Sequence, residues 1–152
     1  MENEKAVTFN TGKGLLFALI GAFVASALWL AVIALVGAGT GGAIGGAFAA
    51  ILGLGTAAGY QKGPGKPGAV GIILVGLLVV IGAAKVVTLG AAIQIYQAGL
   101  GRSLAQAVEL LFDLLGTNTD LTSAFLQDLI VSGGIALVLA IVTLVRRKKE
   151  TA

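Results

Sequence analysis

The 152-residue chain contains neither cysteine nor histidine. That excludes disulfides, thiolate and imidazole metal sites, haem ligation through either residue and every nucleophile–histidine arrangement. Acidic residues are nearly as scarce, with none between Lys5 and Val108. No set of paired carboxylates or of nucleophile and base converges on one face, so we expect no enzymatic activity, no cofactor and no metal. Net charge is +3, but no basic face with interleaved aromatics accompanies it, which argues against nucleic acid as a partner.

Apolar residues are abundant. They make up 57% of the chain against 11% charged, and the mean hydropathy is +1.01. A water-soluble fold of this length cannot hide so much apolar surface. Four runs each reach the roughly 20 apolar residues needed to cross a hydrocarbon core: about 14–36, 41–60, 69–96 and 121–145. The first follows a polar leader, residues 1–13, and is too long for a signal-peptide core, so it reads as a retained helix. The expected fold is therefore an all-α membrane protein of four transmembrane helices in two hairpins (residues 14–147), with a basic tail at 148–152.

Gln61-Lys-Gly-Pro-Gly-Lys-Pro-Gly68 is a turn by its chemistry and divides the two hairpins. Lys5, Lys13, Lys62, Lys66 and Arg146-Arg-Lys-Lys149 fall on one side of the four spans. The positive-inside rule puts that side, with both termini, in the cytoplasm of a cell whose inner (plasma) membrane holds the chain. The other side carries Arg102, Glu109, Asp113 and Asp120. Within it, residues 103–115 space Leu104, Val108, Leu111 and Leu115 as one helical face and Gln106, Glu109 and Asp113 as the other. A short amphipathic helix is expected between the third and fourth spans. Ser103 and Gln106 are placed for a capping box, and the polar face is suited to the protein's own outer surface or a partner.

Gly37, Gly39 and Gly42 form G-x-G-x-x-G, the spacing of a dinucleotide-binding loop. Such a loop needs a short strand before it and an acidic residue about 20 positions later. Here a full span precedes it, and the region around Ala57 to Gly65 has no carboxylate. A packing stripe accounts for more glycines: Gly37, Gly41, Gly45, Ala49, Gly53 and Ala57 recur at every fourth residue, and small residues let helix backbones approach closely in lipid. Ala18, Ala22 and Ser26 offer a matching face on the first span. The stripe serves either the first hairpin or a homo-oligomer.

Two charges interrupt the apolar runs. At the helical rise Lys85 stands about 24 Å beyond Ala69, and Asp128 about 26 Å before Val145, so both reach the same depth. They are candidates for an intramembrane ion pair, structural or part of a transport path. Trp29, Gln94, Tyr96 and Gln97 are expected at the outer boundary, and Tyr60 and Phe9 at the inner one.

The tryptophan at 29, the glycine-tyrosine-basic turn Gly59-Tyr-Gln-Lys-Gly-Pro-Gly-Lys66, Ser103-Leu-Ala-Gln-Ala107 and Phe125-Leu-Gln-Asp-Leu-Ile130 together resemble a family of small bacterial four-span integral membrane proteins of uncharacterised function, over about residues 14–147. The resemblance implies the four-span architecture and no activity. Two functions compete: an oligomeric or accessory subunit that packs against membrane-protein partners through small-residue faces, and a small channel or transporter built around Lys85 and Asp128.

Overall fold

The computed structural model describes residues 11–37, 42–63 and 68–150, which form five helices and no strand. They are α1 (Thr11–Val36), α2 (Gly42–Gln61), α3 (Ala69–Gln97), α4 (Leu104–Thr117) and α5 (Thr119–Glu150). All but α4 are long and apolar enough to cross a membrane.

Local chemistry sets the visible ends. Gly37 stops α1 by adopting φ +65°, and its N–H donates to the Ile33 carbonyl at 3.0 Å, a left-handed helix cap. Ser103 caps α4: its hydroxyl accepts from the Gln106 N–H at 3.2 Å, while the Gln106 carboxamide oxygen accepts from the Arg102 N–H at 2.8 Å. The expected box therefore forms with its return bond one residue earlier than the usual cap position. Asn118 both ends α4 and starts α5, since its N–H donates to Leu114 and its side-chain oxygen accepts from Leu121.

Side-chain size dictates the packing. The α1 backbone meets α2 where Gly21 faces Gly55, and again where Gly59 faces Phe17 and Ala18, so these two helices run in opposite directions. Gly53 lies against Ala136 and Gln61 against Thr143, so α2 and α5 run the same way. Ser26 lies near Gly82, and Gln97 bonds Ala34, which aligns α3 with α1. Around the bundle the order is α1, α2, α5, α3, with α2 and α3 meeting across the middle and α4 resting on α3 and α5. The core is filled by Trp29, Ile33, Leu52, Tyr60, Val79, Val86 and the alanines between them.

The outer surface is also apolar. Phe23 is 74% exposed and Leu35 85% exposed, and similar side chains stand out on all four long helices. A surface of this kind fits an integral membrane protein, whose outward side chains face lipid tails. The helix directions gather Lys13, Lys62 and Arg146 to Lys149 at one end of the bundle and Arg102, Glu109, Asp113 and Asp120 at the other. We call these the basic and acidic ends.

Candidate functional site

Among the described residues no group of three or more acidic side chains could hold a metal. The positions with the most stringent geometry are instead those where helix backbones touch around α2. A Cβ added to Gly53 would collide with the carbonyl of Ala136, whose carbonyl carbon lies 2.9 Å away. One added to Gly59 would meet the Phe17 carbonyl, with its carbon at 2.7 Å. Only hydrogen fits at either place.

Of the expected stripe, Gly45, Ala49, Gly53 and Ala57 are buried. Gly53 meets α5, whereas the anticipated partner within the hairpin was α1. Gly41 lies outside the described residues. Gly37 departs from the stripe: it is exposed, with none of the described residues within 4 Å of its would-be Cβ, because it serves as the end of α1. The α1 contact belongs to a second series, Gly55, Gly59 and Gly63, which meets Gly21, Phe17 and Gly14 in turn. Its four-residue spacing is as plain in the sequence as that of the first series. Two glycine series offset by two residues, a little over half a turn, make α2 a helix with two close neighbours.

The expected interfacial aromatics divide. Tyr96 is exposed near the acidic end, but Trp29 is 0% and Tyr60 1% exposed, so both belong to the core. Trp29 stacks on Phe48 with ring centroids 6.3 Å apart. Tyr60 lies over Gly71, where any larger side chain would strike its ring. Burial sets which way these rings face, not how far along the bundle they stand: Tyr60 is still in the last turn of α2. Phe9 lies outside the described residues.

Lys85 is exposed on α3, and Asp128 half-buried on α5. Their register can be read from Gly76, whose would-be Cβ lies 3.1 Å from Leu137 Cδ1. Lys85 is nine residues beyond Gly76 and Asp128 nine before Leu137, so in antiparallel helices the two are level. Nine residues are also about two and a half turns, which places each on the side of its helix away from that contact. Gln97 has a role that the sequence reading missed. Its carboxamide donates to the Ala34 carbonyl at 2.7 Å, meeting one of the acceptors left open in the last turn of α1. On α4, Gln106, Glu109 and Asp113 are all exposed, while Ala107 and Leu111 are buried.

No protein-family model, curated protein or solved structure matches the chain.

Proposed function

We propose that the chain is a non-enzymatic multi-pass protein of the inner (plasma) membrane, with both termini cytoplasmic, that acts as an accessory or oligomeric subunit. The observation that supports this reading is the thinly packed acidic-end portion of α5. Its buried residues are Ser132, Ala136, Ala140 and Leu144, so none lies before Ser132. The first turns expose Ser123, Leu126, Gln127, Ile130 and Val131, a mixed surface beside the exposed polar face of α4. Helical segments with so little packing of their own draw stability from a neighbour, and mixed polar and apolar surfaces are typical of contacts between proteins.

The channel reading needs Lys85 and Asp128 to line a path. The middle of the bundle is occupied by Trp29, Leu52, Val79 and Val86, and Lys85 lies on an exposed face. Purification in mild detergent tests the subunit reading: a larger assembly, of copies or with a second membrane protein, should be recovered, and Ile130→Lys should disperse it. A wild-type protein that runs as a lone chain and conducts ions in liposomes would transfer the assignment to the channel.

A further inference from the structure

At the basic end, an open cleft of about 510 Å³ lies between α2 and α5. Leu54, Leu139 and Val142 form its apolar depth, and Gln61, Thr143, Arg146, Arg147 and Glu150 its polar mouth. We infer that this cleft binds an anionic phospholipid, with the phosphate at the arginines and the start of an acyl chain along Leu54 and Leu139. The inference rests on the membrane reading but not on the subunit reading.

Three features fit this occupant together. Arg146 lies seven residues beyond Leu139, and Gln61 seven beyond Leu54, so both walls pass from charged or polar to apolar over about 10 Å. This is the scale on which a phospholipid passes from phosphate to hydrocarbon. The polar mouth is also built: the Gln61 carboxamide donates to the Thr143 carbonyl at 3.4 Å, and the Thr143 hydroxyl donates to Leu139 at 2.6 Å, which holds two lining side chains along the walls. Finally, Arg146 and Arg147 continue into Lys148 and Lys149, so four cations face one carboxylate, Glu150, at this helix end. Arginine recognises phosphate through paired N–H donors, and basic pockets between membrane helices on the cytoplasmic side select anionic lipid head groups.

Native mass spectrometry of the detergent-purified protein, titrated with phosphatidylglycerol or phosphatidylcholine of the same chains, tests the inference. One phosphatidylglycerol should bind at least fivefold more tightly than phosphatidylcholine. Arg146→Gln with Arg147→Gln should abolish that preference, while Lys148→Gln with Lys149→Gln, an equal loss of charge outside the lining, should keep most of it. Leu139→Trp, which fills the apolar depth and leaves every charge in place, should weaken binding severalfold. Glycerol phosphate, the head group without chains, should not compete. Equal binding of the two lipids, equal losses in the two charge variants, unchanged binding by Leu139→Trp, or competition by glycerol phosphate would each overturn the assignment. Helical circular dichroism of every variant separates a lost site from a lost fold, and neither result depends on whether the protein assembles.

Discussion

A single added methyl group would meet very different surroundings among the described glycines. At Gly53 it would press on the Ala136 backbone of α5, while at Gly134 nothing stands within 4 Å. Gly53→Ala should therefore cost about 1 to 3 kcal/mol as overpacking, whereas Gly134→Ala should be neutral or raise stability by up to about 1 kcal/mol through helix propensity. Thermal unfolding in one detergent compares them, and equal effects would show that backbone contact at Gly53 does not limit packing. Lys85 and Asp128 give a second residue-scale expectation. They are level but turned from the α3 and α5 contact, so the losses from Lys85→Met and Asp128→Leu should add in the double variant to within about 0.5 kcal/mol. A double variant that recovers much of the single losses would mean the two side chains reach each other. The sequence made their common depth legible, because rise per residue is uniform. It left their facing open, because facing depends on which helix lies alongside.

Among the elements, the long helices were the most legible part. An apolar run long enough for a bilayer has few other uses, and the expected spans differ from α1 to α3 by only a few residues at each end, with α5 running further only at its end, to Glu150. The start of α4 was legible for a different reason: Ser103 and Gln106 complete their cap within four residues, so no distant part of the chain is involved. Ser103→Ala should cost about 1 kcal/mol and speed amide exchange in the first turn of α4, leaving α5 protected; uniform acceleration across both helices would show that the cap is not a local support. By contrast, the partner of Gly53 was hidden. A four-residue period states that one face of α2 is small, not which helix presses on it. The burial of Trp29 was hidden for the same reason, since its stacking partner Phe48 stands on α2 and is not adjacent in the sequence.

For the whole molecule, the separation of charge is the feature with the widest reach. The basic end carries the start of α1 and the ends of α2 and α5, and the acidic end carries α4. Positive residues near span ends are retained on the cytoplasmic side, so a thiol introduced as Glu109→Cys should react with an impermeant reagent in sealed cells. One introduced as Lys62→Cys should react only after permeabilisation. The native chain has no cysteine, which makes the background silent; labelling at 62 in sealed cells would reverse the proposed orientation.

The ring order α1, α2, α5, α3 also sets a timetable. The α1 side of α2 can close as soon as both helices have entered the membrane, because Gly21 and Gly55 lie on neighbouring segments. Its other side waits for Ala136, 83 residues after Gly53, a delay of roughly 4 to 17 s at ordinary rates of synthesis. For that interval the nascent protein holds an open glycine seam facing lipid, and α5 is the helix that closes it.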